Sequence, residues 1–214
     1  MRRITCRVVV GIVASLTLAV PTASSAPGAD AGVYQIADAD WVVRTGPTTG
    51  VWYIVSAMRF GPAAPDGMVG VAFIGRGRCT FRTFKHGSSV SCQASGRGQR
   101  IGPSEFQIDP LLSSAVLDVD AKGFSHHVEW TGRGDYPYVG QSIGAYGPAF
   151  MAGVGLMREA SAAGDVFGKH LQSKRFSFTY LAQGADAQAS TTALGFDATQ
   201  SGLQRVHRTF WIPR

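Results

Sequence analysis

The chain has 214 residues, with 20 Lys and Arg against 14 Asp and Glu, and its formal net charge is +6 at pH 7. This length suffices for one domain with a sizeable hydrophobic core, and no linker that would divide it is visible. Three of the basic residues lie within the first seven, so the remainder carries 17 basic against 14 acidic residues. That modest surplus, without any RNA- or DNA-binding motif, gives no reason to expect a nucleic acid partner. The excess of arginine over lysine, with abundant Ala and Gly, is typical of GC-rich genomes such as those of actinobacteria.

The first 26 residues have the three parts of a secretory signal peptide. Three arginines precede a mainly apolar stretch of 13 residues, 8–20, and small residues around Ala26 follow it. Thirteen residues are fewer than the roughly 20 that a membrane-spanning helix needs. We therefore predict cleavage near Ala26 and a secreted protein, extracellular or associated with the cell wall, that forms a single domain over residues 27–214. The paired arginines leave the twin-arginine route open as the path of export.

Two cysteines, Cys79 and Cys92, follow the leader. In an exported chain an even number of cysteines predicts a disulfide. A loop of this size contributes about 3 kcal/mol to stability in the chain-entropy model. The alternative is a metal site with His86, but two thiols and one imidazole fall short of the four ligands of structural zinc. We predict the disulfide.

Short segments rich in β-branched and aromatic residues recur along the chain, separated by clusters of Gly, Pro, Asp and Ser. The segment closest to a helical pattern, Ala149–Ala163, contains glycines and follows a proline, which argues against a long helix. Regularly spaced strands without helices predict an all-β fold, an antiparallel β-sandwich or flattened barrel with little helix. The predicted strands are Val51–Phe60, Met68–Ile74, Cys79–Phe84, Ser114–Val119, Phe124–Trp130, Arg175–Leu181 and Val206–Ile212.

The cysteine pair sets the register of a first hairpin. If Cys79 faces Cys92, then Phe81 faces Val90, and the turn falls near Lys85. The disulfide and an aromatic–aliphatic pair then share one face of the hairpin. The sequence pattern and the cysteine pairing thus predict the same register.

A second hairpin is predicted to turn at Asp120–Gly123, with Val119 opposite Phe124. This register divides the side chains into an apolar and a polar face. The apolar face holds Ala115, Leu117, Val119, Phe124, Val128 and Trp130, and the polar face holds Asp118, Asp120, Ser125, His127 and Glu129.

The sequence GQSIG, residues 140–144, matches the G-x-S-x-G pattern of a hydrolase nucleophile elbow. With Ser142 as nucleophile, Asp186 or Asp197 and then His207 follow in the chain order of α/β-hydrolases. That fold needs a mostly parallel sheet covered by helices, and the sequence predicts neither. A secreted serine hydrolase is therefore the alternative, and we interpret GQSIG as a glycine-flanked loop.

The segment 118–129, DVDAKGFSHHVE, partly matches a calcium-binding loop. Asp118, Asp120 and Glu129 occupy ligand positions, but Lys122 stands where an oxygen ligand belongs. A lysine ammonium supplies no oxygen and repels a cation. The same residues fit a hairpin better than a loop between helices.

Two adjacent histidines point to opposite faces of the second hairpin. His127 lies with Asp118 and Glu129, a set capable of acid–base chemistry or of binding a metal ion. A solvated polar face accounts for the same residues, and we favour that interpretation. His126, on the apolar face, is expected to be a hydrogen-bonded core histidine.

Charge is unevenly distributed along the chain. Residues 67–104 contain no acidic residue, whereas residues 105–135 contain six. A basic region of this kind is compatible with anionic partners such as a cell-envelope polymer or a lipid surface, but we favour a plain charged surface. The basic residues are Arg76, Arg78, Arg82, Lys85, Arg97 and Arg100.

Two further features bear on function. The apolar segment Ile143–Met157 is compatible with a membrane-active protein, but its 15 residues include a proline, and we favour a buried strand and loop. Four tryptophans suggest a sugar-binding surface, but Trp52 and Trp130 fall on apolar faces and are expected in the core. The favoured function is a non-enzymatic extracellular or cell-envelope binding or structural module without a cofactor.

Overall fold

A computed structural model describes residues 34–60, 70–133, 138–139, 155–174, 176–184 and 202–213. The predicted leader, 1–26, lies outside these residues, as do Ser142, Asp186 and Asp197. Within them the chain is all-β and forms twelve strands. The strands are β1 (Tyr34–Arg44), β2 (Thr49–Phe60), β3 (Gly70–Phe84), β4 (Gly87–Ile101), β5 (Phe106–Ile108), β6 (Ser114–Ala121), β7 (Phe124–Gly132), β8 (Tyr138–Val139), β9 (Gly155–Val166), β10 (Lys169–Gln172), β11 (Ser177–Gly184) and β12 (Gly202–Pro213).

The strands pair in one antiparallel sheet with the order β12-β4-β3-β2-β1-β11-β9-β7-β6-β5, and β8 and β10 both pair with β9. The described strands do not close into a barrel. The predicted all-β fold is confirmed, and the architecture is consistent with a sandwich or flattened barrel.

The sheet curls so that it encloses a first core. Phe178 of β11 stacks on Phe210 of β12 with ring centroids 4.3 Å apart, although four other strands lie between β11 and β12 in the sheet. Trp52 of β2 meets the same Phe210 ring edge-on. These contacts across the curl place the side chains of one face of β1 to β4, β11 and β12 in a single apolar cluster.

A second core lies on the opposite face of β1, β2 and the first part of β3. There β5, β6, β7, β9 and β10 cover the side chains, with Trp130, Phe106 and Leu117 fully buried. The Trp130 Nε1–H donates to the backbone oxygen of Asp38, 3.2 Å away, and so ties β7 to β1. Because both faces of the middle strands are buried, β2 is mostly apolar along its length and does not alternate with polar residues.

The β3–β4 hairpin has the predicted register. Cys79 pairs with Cys92 and forms the predicted disulfide, and Phe81 pairs with Val90. The segments predicted as two strands before this turn form one strand, because Gly77 serves close packing and not a turn. A Cβ at Gly77 would lie 1.8 Å from the backbone oxygen of Gln93, so only glycine permits the pairing.

The β6–β7 hairpin turns more tightly than predicted. Lys122 and Gly123 form a two-residue turn, both with positive φ (54° and 77°), as hairpin turns of this kind require. The predicted pairing of Val119 with Phe124 is wrong, since Val119 pairs with His126. The shift is two residues, so the division into an apolar and a polar face holds.

Candidate functional site

The exposed face of β3, β4 and β12, which we call the open face, carries the most distinctive surface of the described chain. Along residues 76–82 of β3, 89–97 of β4 and 203–211 of β12, alternate residues face the first core and the others point toward solvent. The open face consists of Arg76, Arg78, Thr80 and Arg82 on β3, Ser89, Ser91, Gln93, Ser95 and Arg97 on β4, and Leu203, Arg205, His207, Thr209 and Trp211 on β12.

Strand register arranges these side chains in rows across the three strands. At one end, Arg82, Ser89 and Trp211 lie opposite one another. Two residues further along each strand the next row begins, so successive rows are about 7 Å apart. The fourth row joins Arg76 of β3 to Arg205 of β12 through a serine of β4.

The open face is cationic because nothing on its strands neutralises the arginines. The sequences of β2, β3, β4 and β12 contain no Asp or Glu. Among the described residues, none of the open-face arginines forms an ion pair with a carboxylate. Clustered cations without partners raise the local positive potential and leave guanidinium donors available to an anion.

Only part of the predicted basic region belongs to this face. Arg76, Arg78, Arg82 and Arg97 lie on it, whereas Arg100 is exposed on the opposite face. Lys85 lies in the β3–β4 turn.

The β12 contribution, Arg205 and His207, was missed by sequence reasoning because it lies more than 100 residues from Arg97. The only local signal for it was His207 at an alternate position of the predicted strand Val206–Ile212, with Arg205 immediately before that strand.

Lysines of two neighbouring hairpins, β6–β7 and β9–β10, extend the positive charge beyond Arg97. Lys122, in the β6–β7 turn, lies near Arg97, and burial together with the Arg97 charge lowers the pKa of its ammonium. Lys169 of β10 has its Nζ 5.9 Å from the centre of the Tyr53 ring, and the Arg76 guanidinium lies 5.5 Å from the same ring. The basic surface therefore continues from β3 and β4 toward the tips of two neighbouring hairpins.

His207 was proposed as the base of a hydrolase, and it lies on the open face. Its Nε2 is 3.0 Å from Ser91 Oγ. Within the described ranges His207 contacts no carboxylate, whereas a catalytic triad needs one to orient the imidazole. The role of Ser142 with Asp186 or Asp197 stays a prediction, because those three residues are outside the described chain.

The predicted cluster of His127, Asp118 and Glu129 lies on the exposed face of β6 and β7. Asp118 Oδ1 is 2.6 Å from His127 Nδ1, and Glu129 Oε1 is 3.1 Å from Nε2. An imidazole nitrogen must carry a proton to donate to a carboxylate, so both contacts together require the imidazolium form. The hydrogen bond to Asp118 and, to a smaller extent, that to Glu129 raise the pKa of His127.

Acidic residues and histidines alternate across this surface. Asp118 pairs with His127, His127 pairs with Asp165 of β9, and Asp165 pairs with His170 of β10. His170 Nδ1 is 3.1 Å from Asp165 Oδ1. Carboxylates and imidazoles therefore alternate across β6, β7, β9 and β10 on this polar surface.

No group of three or more His, Cys, Asp or Glu residues in the described part of the chain is arranged to hold a metal ion. In the calcium-like segment, Asp118 bonds to His127 and Asp120 accepts a hydrogen bond from Ser125 Oγ at 2.6 Å. Lys122 lies in the turn between β6 and β7. The segment is thus a hairpin with internally bonded carboxylates, in place of a calcium loop.

His126 is buried, as its position on the apolar face predicts. Its Nε2 lies 3.1 Å from the backbone oxygen of Ala121, and the backbone N–H of Phe167 donates to its Nδ1 at 3.3 Å. One nitrogen donates and the other accepts, which is the pattern of a neutral imidazole. Burial lowers the pKa of His126.

A buried charged cluster lies inside the first core and was missed by sequence reasoning. The Nη1 of Arg208 is 2.9 Å from Asp38 Oδ2 and 2.5 Å from Asp40 Oδ2. Trp52 Nε1–H donates to Asp40 Oδ1 at 2.7 Å, and the Ser56 hydroxyl donates to Asp38. These contacts satisfy charges that would otherwise be costly to bury.

The two carboxylates of this cluster outnumber its one guanidinium. Burial is the largest influence on Asp40, and with the charge of Asp38 it raises the pKa of that carboxyl despite the opposing charge of Arg208. Burial by itself lowers the pKa of Arg208, but the charges of Asp38 and Asp40 outweigh it and raise that pKa. Asp40 therefore releases its proton less readily than an exposed aspartic acid does.

Comparison with protein-family models, with curated proteins and with solved structures finds no match to this chain. Among the described residues there is no helix that could span a membrane. The disulfide is consistent with an oxidising environment.

Proposed function

We propose that this chain is an extracellular binding module whose open face binds an anionic polymer. One observation carries the proposal: five arginines, Arg76, Arg78, Arg82, Arg97 and Arg205, share one exposed sheet face with no acidic residue on its strands. Mutual repulsion among such cations disfavours the free protein, and an anion relieves it.

The shape of the open face suits a polymer. Its rows extend over nine residues of β12, from Trp211 to Leu203, and the eight steps between them correspond to roughly 27 Å at the rise of an antiparallel strand. Guanidinium groups repeat along this length, so a chain with regularly spaced anionic groups meets several of them at once. The predicted export of the protein, together with the disulfide, supports a polymer of the cell surface or its surroundings as the ligand.

The proposal is tested by binding of the exported protein, residues 27–214, to immobilised polygalacturonate at several salt concentrations. The double variant Arg78→Gln/Arg205→Gln removes two charges from the open face. The matched control Arg100→Gln/Arg133→Gln removes two exposed charges elsewhere. We expect the open-face variant to lose about tenfold in affinity and to show a weaker salt dependence.

The control variant is expected to bind within about twofold of the unmodified protein. Equal losses from both double variants would mean that overall charge, and not the open face, governs binding. Absence of salt-sensitive binding by the unmodified protein to any polyanion would remove the proposal.

A further inference from the structure

Trp211 differs from the other three tryptophans of the chain in its exposure. Trp41, Trp52 and Trp130 are buried, whereas Trp211 is 45 % exposed. It lies on the open face in the same row as Arg82. Phe84, at the end of β3, is 49 % exposed beside it.

The Trp211 ring is held in position by its surroundings. A Cβ at Gly87 would lie 2.7 Å from Cζ2 and 3.0 Å from Cε2 of the indole, so the ring lies directly against the backbone of Gly87. The Phe84 ring supports it with centroids 5.7 Å apart and planes inclined by 32°. Any side chain at position 87 would displace the indole, so the glycine is part of the support.

Polar groups surround this aromatic pair on the open face. The Arg82 guanidinium and the Ser89 hydroxyl belong to its row, and the next row carries the hydroxyls of Thr80, Ser91 and Thr209. A rigid aromatic plane next to hydroxyl and guanidinium donors matches a pyranose ring, which presents C–H groups on its face and hydroxyls at its rim. An acidic sugar adds the carboxylate or sulfate that a guanidinium binds.

We propose that the polymer bound by the open face is an acidic polysaccharide, and that one of its sugar rings stacks on Trp211 while its anionic groups bind the arginines. This inference rests on the function proposed above. Polyphosphate and a polypeptide of Asp or Glu alone have no ring to place on the indole, so neither uses the exposed aromatic pair.

The experiment compares tetragalacturonate with tetraglutamate, which lacks sugar rings, by calorimetry on the exported protein. We expect the unmodified protein to bind tetragalacturonate about tenfold more tightly than tetraglutamate, a difference of the size that aromatic packing supplies. Trp211→Ala should abolish this difference, because it should lower the affinity for tetragalacturonate and leave the affinity for tetraglutamate unchanged. Trp211→Phe, which keeps an aromatic plane, should retain most of it.

Tryptophan fluorescence gives an independent measurement, since Trp211 is the exposed tryptophan. Tetragalacturonate should change the emission of the unmodified protein and leave that of Trp211→Phe unchanged. Far-ultraviolet circular dichroism of each variant verifies that the sheet is intact. The substitution is at an exposed position, so little change is expected.

Each remaining outcome is decisive. If both probes bind equally and Trp211→Ala changes neither, the open face binds anions but the sugar inference is overturned. If neither probe binds, the proposed function itself fails. A single-stranded tetranucleotide that binds more tightly than tetragalacturonate, in a way that depends on Trp211, would assign the indole to a nucleobase and overturn the inference.

Discussion

Arg208 of β12 forms a buried ion pair with Asp38 of β1, with Nη1 and Oδ2 2.9 Å apart, although three strands separate β12 from β1 in the sheet. The pair spans the interior of the curled sheet and fixes how far β12 bends toward β1. The distance between Arg208 and Asp38 therefore depends on the curvature of all the strands from β12 to β1.

Loss of the Arg208 charge is expected to destabilise the fold strongly. Arg208→Met leaves two buried carboxylates without their cation, and removing one partner of a buried pair costs about 3–5 kcal/mol. Arg205→Met, on the exposed side of the same strand, should change the unfolding free energy by less than about 0.5 kcal/mol. Urea unfolding of both variants measures the difference. Equal effects would show that the buried cluster contributes nothing specific.

The raised pKa of Asp40 predicts a pH dependence of stability. A carboxyl whose pKa is raised by folding stabilises the protein fully below its ordinary value of 3.8, and this contribution is lost as pH rises through the folded-state pKa. Asp40→Asn cannot ionise, so its unfolding free energy should fall less steeply as pH rises above 3.8. Asp165→Asn, at an exposed position, serves as the control. Parallel pH profiles for Asp40→Asn and the unmodified protein would contradict the prediction.

Neighbouring histidines are expected to titrate on opposite sides of the ordinary value of 6.5. Burial lowers the pKa of His126, and the hydrogen bond that His127 donates to Asp118 raises the pKa of His127. NMR titration of the imidazole resonances measures both. Asp118→Asn should lower the pKa of His127 and leave that of His126 in place. An unchanged pKa of His127 in the Asp118→Asn variant would argue against the contact between Asp118 and His127.

His126 also predicts an acid-sensitive contribution to stability. Because folding lowers its pKa, the contribution is fully present above pH 6.5 and is lost as pH falls through the lowered value. Protonation removes the acceptor for the Phe167 N–H. His126→Gln should unfold with a smaller change in free energy between pH 7 and pH 5 than the unmodified protein. Denaturant midpoints at several pH values test this, with His170→Gln, an exposed histidine, as the control.

Reduction of the disulfide should lower the unfolding free energy by about 3 kcal/mol, as expected for a short closed loop. Cys79 and Cys92 are 13 residues apart and connect adjacent strands. The double variant Cys79→Ser/Cys92→Ser should show the lowered stability without reductant and no further response to it. If reductant lowered the unfolding free energy of that variant by the same amount, the response to reductant would not come from this disulfide.

The hairpins were predictable because their signals are local. Cys79 and Cys92 defined the β3–β4 register, and alternation along 114–130 defined the two faces of β6 and β7. The second half of β4 was missed because its glycines resemble turn residues. Gly96 in fact makes room for the Phe73 ring, since a Cβ there would lie 2.4 Å from it.

Long-range relationships account for the rest. The sequence ADAD in β1 looks unsuited to a buried strand, and only Arg208, 168 residues beyond Asp40, makes it acceptable. The open face likewise depends on the pairing of β12 with β4, which unites Arg78 with His207. No local pattern specifies that pairing. The sequence therefore indicated a basic region but not that Arg205 and His207 belong to it.

The strand β12 contributes side chains both to the interior of the protein and to the open face. This strand follows the other eleven described strands along the chain, yet it supplies Arg208 to the interior and Trp211 to the exterior. A chain that lacks residues 202–213 can complete neither the buried charged cluster nor the open face. Completion of the interior and formation of the proposed binding surface therefore depend on the same strand.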